Sequence, residues 1–131
     1  MQTGLEKKRD GQCVLCENGI VHDENTGLEW VAGPDTDMDW NDAKSWVGEL
    51  SLAGGGWRMP TRDDLRRLYE KNIGTRNMTP LLETTGTWVW SGETEGPSCA
   101  WGFNFYGGNE GCPGRYYLRL NRAFAVRSRK Q

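Results

Sequence analysis

The sequence predicts an α+β domain: two helices packed on a small twisted antiparallel sheet, in a loop-rich frame. Three observations carry this. Alternating apolar patterns stand at both ends of the chain with two helical patterns between them. Each helical pattern opens on a capping motif, Asp39 with Asp42 and Thr61 with Asp64. Only 36% of the residues are apolar, yet there are 7 Trp and 18 Gly. A disordered chain lacks such tryptophan content, so the core rests on a few large rings. A length of 131 residues fits one domain of ordinary size.

Residues 1–12 are polar and read as loose, and residues 1–18 read as an N-terminal extension to a single domain over 19–131. Gly19 to Asp23 gives a short strand, Asn25-Thr26-Gly27 a turn, and Leu28-Glu29-Trp30-Val31 the returning strand of a hairpin. Gly33-Pro34 ends it. In the first helix Asp39 is the N-cap and Asp42 the third helical position, where carboxylates suit the positive helix end. Ala43, Trp46, Val47 and Leu50 then recur on one face, and Gly54-Gly55-Gly56 stops the helix. Trp57 to Pro60 is an extended link. Thr61 and Asp64 form the second capping box, Leu65, Leu68 and Tyr69 give the apolar face, and Gly74 closes the helix. Four aromatic-rich runs follow, over 87–90, 100–106, 115–120 and 123–127, and read as strands of a meander.

Several function classes are excluded. No apolar run reaches the roughly 20 residues of a spanning helix. The single histidine, His22, leaves no multi-His metal centre and one candidate base. Phosphate loops and dinucleotide fingerprints are absent. Ser91 and Ser98 lack a nucleophile elbow. The net charge of −2 argues against a general nucleic-acid binder. Its distribution is uneven: residues 10–57 hold ten acids against Lys44, hence −9, while residues 97–131 hold six bases against Glu110, hence +5. The basic third permits a local anionic partner, although mutual neutralisation of the two regions is the plainer reading.

Of the four cysteines, Cys13 and Cys16 have the spacing of half a zinc knuckle or a redox pair. No second such pair follows, and Glu17-Asn18-Gly19 is a turn rather than a helix start. The preferred reading of the other two is a Cys99–Cys112 disulfide around Gly107-Gly108, which implies an oxidising compartment. Met1-Gln2-Thr3-Gly4 opens a charged stretch, not an apolar leader. Either an export signal has been removed or the chain is cytosolic with free thiols.

Trp40-Asn41-Asp42 matches a short calcium-binding motif of sugar-binding lectins, but it opens a helix, where Asn and Asp are ordinary capping residues. Asp35, Asp37 and Asp39 imitate the start of an EF-hand, yet Trp40 and Trp46 occupy the positions that need Gly and Glu. In the late strands, alternation points Trp101, Phe103 and Phe105 inward and Gly102, Asn104 and Tyr106 outward. With Tyr116, Leu118 and Leu120 inward, Arg115, Tyr117, Arg119 and Asn121 share the outer face. Tyr, Arg and Asn are recognition-surface residues. An ordinary wet sheet face is the competing reading.

Taken in order, these motifs resemble the Lcl C-terminal domain family, long described as a domain of unknown function. The resemblance rests on Thr26-Gly27-Leu28-Glu29-Trp30, Asp39-Trp40-Asn41-Asp42-Ala43, Gly56-Trp57-Arg58-Met59-Pro60-Thr61, Trp88-Val89-Trp90-Ser91, the run 100–105 and Phe124-Ala125-Val126-Arg127. It implies a C-type-lectin-like fold related to formylglycine-generating and sulfatase-modifying proteins. In that fold the first and last strands pair, which puts Val21 near Val126. The name-giving adhesin of the family binds sulfated polysaccharides, and some relatives are targets of diversity-generating retroelements. The variable positions of those relatives map onto Asn104, Tyr106, Asn109, Arg115, Tyr117, Arg119 and Asn121. A cysteine pair found in many relatives is missing, and Cys99 with Cys112 stands as its replacement. The catalytic cysteines of formylglycine-generating enzymes have no counterpart here, so kinship gives no ground for that activity.

The expectation is therefore a non-enzymatic binding module without cofactor, exposed at a cell surface, in the periplasm or outside the cell. It would take an anionic glycan or a protein on the face formed by residues 101–122. Arg115, Arg119 and Arg122 would supply charge, and Tyr106 and Tyr117 would stack. The alternatives are a retroelement-diversified binder of the same fold, a metal-assisted enzyme using the Asp35–Asp42 loop or Cys13 and Cys16, and an assembly domain.

Overall fold

The computed structural model describes residues 5–117 and 121–128. The architecture is α+β, with two sheets rather than one. Strands β1 (Glu6–Asp10), β2 (Cys13–Cys16), β3 (Val21–Asp23), β4 (Leu28–Ala32) and β9 (Phe124–Ser128) form an antiparallel sheet in the order β1-β2-β3-β4-β9. Strands β5 (Trp88–Glu95), β6 (Cys99–Asn104), β7 (Asn109–Gly111) and β8 (Asn121–Arg122) form the second, in the order β7-β6-β5-β8. Among the described residues, only the β5–β8 pairing is parallel.

Residues 1–12 are not uniformly loose, which corrects the sequence reading. Glu6 to Asp10 pairs with Cys13 to Cys16, and Gly11 turns the hairpin at φ 60°. The outer strand, Glu-Lys-Lys-Arg-Asp, is charged and exposed, as suits a sheet edge that must not recruit another chain. The expected β3–β4 hairpin forms, with Gly27 at φ 77° in its turn. Val21 and Val126, however, are not partners. Val21 faces Trp30 on β4, and Trp30 faces Val126, so the second strand of the hairpin meets the C-terminal strand. On its other side β9 is continued by Arg58, which exchanges both backbone hydrogen bonds with Val126 at 3.0 Å.

Helix α1 (Trp40–Glu49) starts where Asp39 accepts the Asp42 amide at 2.8 Å. Helix α2 (Arg62–Leu68) starts on a complete capping box between Thr61 and Asp64. It ends at Leu68 instead of running to Gly74. The Tyr69 ring turns instead toward Phe103 and Phe105, with centroids at 5.7 and 6.3 Å.

The main core lies between the two sheets and α2, around Val21, Trp30, Leu65, Met78, Val89, Phe103, Phe105, Phe124 and Val126. A second group, Met38, Trp40, Ala43, Trp90, Ala100 and Ala123, seats α1. Trp30, Trp40, Trp57 and Trp90 are buried, whereas Trp46, Trp88 and Trp101 are only half-buried. Trp40, at the start of a helix, is thus a core ring: its Nε1 donates to the Ser91 carbonyl at 2.9 Å. Among the described residues no helix is long and apolar enough to cross a membrane.

Candidate ligand-binding face

The candidate site lies on the second sheet, at the end of β6, the β6–β7 turn and the segment after β7. Pairing aligns Trp88 of β5, Asn104 of β6 and Asn109 of β7 in one row, and Trp90, Gly102 and Gly111 in the row on the same face two residues away. The intervening row, Val89 and Phe103 with Glu110, points to the opposite face, where Val89 and Phe103 enter the core. As expected, Phe103 and Phe105 are inward and Tyr106 is outward, 83% exposed.

The site turn is fixed from beneath and from the side. Asn104 accepts the Tyr106 amide at 3.0 Å through its side chain and the Gly108 amide at 2.7 Å through its carbonyl. Gly108, at φ 73°, leaves room for the Tyr69 ring, which a Cβ would meet at 2.7 Å. Cys99 and Cys112 form the disulfide read from the sequence, with a Cα–Cα distance of 5.5 Å. Beside it, the Ala100 amide donates to Pro113 at 3.1 Å and the Arg115 amide to Ser98 at 3.1 Å. These bonds staple residues 113–115 against the start of β6.

The outer face differs from expectation at Tyr116, Asn121 and Arg122. Residues 115–117 are a turn closed by the Tyr117 amide on the Gly114 carbonyl, not the start of a strand. Tyr116 therefore points out, 78% exposed, beside Tyr117 at 56%. Asn121 and Arg122 are buried, 1% and 5% exposed, on β8, the parallel partner of β5 at the end of its sheet, where Asp35 and Asp37 close over Arg122. Arg119, with Leu118 and Leu120, lies outside the described residues.

The arginines are committed internally. Arg122 Nε donates to Asp35 at 2.8 Å, its Nη1 to Asp37 at 2.7 Å, and its Nη2 to the Thr85 hydroxyl at 3.2 Å. Asp35 also accepts the Thr85 amide at 2.8 Å. Hydrogen bonds from Arg122 and Thr85 hold the Asp35 carboxyl down at about 2. The acidic loop thus receives an arginine. A cleft of about 430 Å³ opens next to it, lined by Asp35, Arg76, Thr79, Glu83 and Thr84 among others. Arg115 lies over the Trp40 ring, 4.8 Å from the centroid, and donates to the Gly96 carbonyl at 2.8 Å.

Two further clusters were not read from the sequence. Trp88 extends its ring across the sheet: a Cβ on Gly102 would lie 3.5 Å from it and one on Gly111 2.7 Å. The cue was two glycines aligned with Trp90 rather than Trp88 itself, and only the strand register exposes that. On the first sheet, His22, Glu29 and Arg127 stand opposite one another across β3, β4 and β9. Glu29 accepts Arg127 Nε at 2.7 Å and lies 3.1 Å from His22 Nδ1, all three side chains buried. Arg127 also lies 4.2 Å over the Trp57 ring and donates to the carbonyls of Ala53 and Gly55.

Cys13 and Cys16 are buried thiols on β2. Burial, reinforced by Asp23, Asp10 and Glu70, pushes the Cys13 thiol up to about 12. Among the described residues, no three His, Cys, Asp or Glu side chains gather as a metal-holding group.

The family model described as Lcl C-terminal domain matches residues 19–127, covering both helices and strands β3 to β8 with most of β9. No curated protein matches the chain.

Proposed function

The chain belongs to the Lcl C-terminal domain family, and from that premise we propose that it is a non-enzymatic recognition module for a glycan. The ligand would sit on the outer face of the second sheet and on the stapled turn beside it. The observation that carries this reading is the exposure of Tyr106, Tyr116 and Tyr117, at 83%, 78% and 56%, on short segments held by Asn104 and by the Cys99–Cys112 disulfide. Large rings are costly to leave in water and carry little conformational freedom, so rigidly presented tyrosines suit a binding face. The proposal assigns ligand contact to Tyr106, Tyr117, Asn104 and Asn109, as expected from the sequence, and adds Tyr116.

Charge has a smaller part than the sequence suggested. Arg122 is neutralised by Asp35 and Asp37, and Arg115 serves Trp40 and Gly96. The C-type-lectin-like arrangement and an extracytoplasmic location belong to the same proposal. The first is compatible with two helices flanking two sheets, and the second with a disulfide, which persists in oxidising compartments.

A glycan array probed with the labelled domain and with its Tyr106→Ala/Tyr116→Ala/Tyr117→Ala variant tests the reading. Signals that fall at least about tenfold in the variant are expected, in line with the loss of several stacked rings. Signals identical in both proteins overturn it. Binding confined to protein probes and lost in the same variant would replace the glycan with a protein ligand.

A further inference from the structure

Resting on that reading, we propose that Trp88 is the stacking platform of the site and that the sugar it takes is an uncharged hexose. Trp88 is half-buried and joins none of the apolar core groups among the described residues. Its ring starts on β5, passes over β6 and reaches β7. The hypothetical Cβ of Gly102 lies 3.5 Å from Cε3, and that of Gly111 lies 2.7 Å from Cη2 and 3.1 Å from Cζ3. Neither glycine has a positive φ, so neither is required for backbone conformation. What they supply is space: any side chain at Gly111 would displace the indole. The indole is therefore seated against Gly102 and Gly111 on the sheet, while the half-buried residue keeps part of its surface in solvent.

An indole in this setting suits the C–H face of a pyranose, because its electron-rich face attracts the positively polarised hydrogens. The rest of the row supplies the polar half of such a site. Asn104 and Asn109 stand beside Trp88 on the same face, their amides 3.4 Å apart (Asn104 Nδ2 to Asn109 Oδ1). Part of each amide is already used, Asn104 Oδ1 by the Tyr106 amide and Asn109 Nδ2 by the Glu110 carbonyl, and the remaining N–H hydrogens and oxygen lone pairs are the donors and acceptors that adjacent sugar hydroxyls require.

The absence of charge in these two rows decides the ligand class. Their members that reach the surface, Trp88, Asn104, Asn109 and Gly111, include no ionisable group, and Trp90 and Gly102 are buried. The nearest strand acid, Glu110, points to the other face and is held by Arg62 and Arg66. A sulfate or carboxylate needs a cation free to pair with it, and a hydroxyl does not.

Affinity electrophoresis separates the possibilities. The purified chain is run in native gels containing galactomannan, xyloglucan or laminarin, which are uncharged, and in gels containing dextran sulfate. Retardation in at least one uncharged gel is expected, with the apparent affinity falling at least tenfold in Trp88→Ala. Gly111→Ala keeps the indole but pushes it off the sheet, so it should lose affinity similarly with its melting temperature checked in parallel. Retardation by uncharged glycan that survives both variants overturns the role of Trp88. Retardation by dextran sulfate alone, lost in the triple tyrosine variant, overturns the uncharged sugar while leaving the recognition reading intact. Equal migration of wild type, triple variant and Trp88→Ala in every gel overturns both.

Discussion

Arg122 and Asp35 are 87 positions apart in the chain, yet Nε of the first donates to Oδ1 of the second at 2.8 Å. The contact ties the loop before α1 to β8, and Thr85 joins from the loop before β5. Arg122 is the buried partner, its side chain 6% exposed, while Asp35 and Asp37 keep 40% and 49%. Replacing Arg122 with Met preserves bulk and deletes the charge-assisted bonds. The expected cost is about 2 kcal/mol, the scale of hydrogen bonds to charged groups with partly solvated partners. Urea denaturation measures it. A change within about 0.5 kcal/mol would place the pair among ordinary surface ion pairs.

The same pair sets a pH dependence. Asp35 is held at about 2 in the folded chain, below its ordinary 3.8, chiefly by Arg122 and then by the Thr85 amide. A depressed carboxyl stabilises the fold above its unfolded pKa, and that contribution disappears as pH falls through the folded value. The stability difference between wild type and Asp35→Asn should therefore be constant near neutrality and shrink between about pH 4 and pH 2. A difference that stays flat across that window would show that Asp35 gains nothing from its partners.

Glu29 occupies a harsher setting, its side chain 2% exposed between His22 and Arg127. Truncating Arg127 to Ala strands a buried carboxylate beside a buried histidine and releases the Ala53 and Gly55 carbonyls. Losing one member of a buried pair typically costs about 3–5 kcal/mol. Glu29→Met/Arg127→Met, which removes both charges, should cost less than Arg127→Ala alone. Guanidinium unfolding of the single and double variants tests the ordering, and a double variant worse than the single one contradicts it.

Local chemistry made much of this legible in advance. The capping pairs at Asp39 and Thr61 place both helix starts, since a side chain three residues from its partner amide is a local matter. The Cys99–Cys112 bridge and the inward Phe103 and Phe105 follow from spacing and alternation. Failures concentrate where tertiary partners override local pattern. Arg122 stands in the basic C-terminal third between two aromatic-rich runs, and Asp35, Asp37 and Thr85 from distant loops make its burial tolerable. Glu6 to Asp10 has no apolar alternation, because an edge strand buries almost nothing; backbone pairing with Cys13 to Cys16 alone makes it a strand. For Tyr116, Pro113 and the disulfide bend the chain before alternation can apply. In the proposed face Arg115, Asn121 and Arg122 no longer take part, and Trp88 and Tyr116 enter.

The two cysteine pairs should behave oppositely toward reagents. Cys99 and Cys112 are half-exposed and joined across 13 residues, so a reductant reaches them in the folded chain. Cys99→Ser/Cys112→Ser should lose about 3 kcal/mol, the entropy gained by the unfolded chain when such a loop is freed. Cys13 is 4% exposed, and burial pushes its thiol to about 12, so almost no thiolate exists at pH 8. Native protein mixed with an aromatic disulfide reagent should therefore leave Cys13 unlabelled over minutes and label it at once in 6 M guanidinium, a contrast that Cys13→Ser removes. Rapid labelling of Cys13 in the native state would mean that β2 opens readily. The N-terminal hairpin would then be a weakly attached edge rather than an integral part of the first sheet.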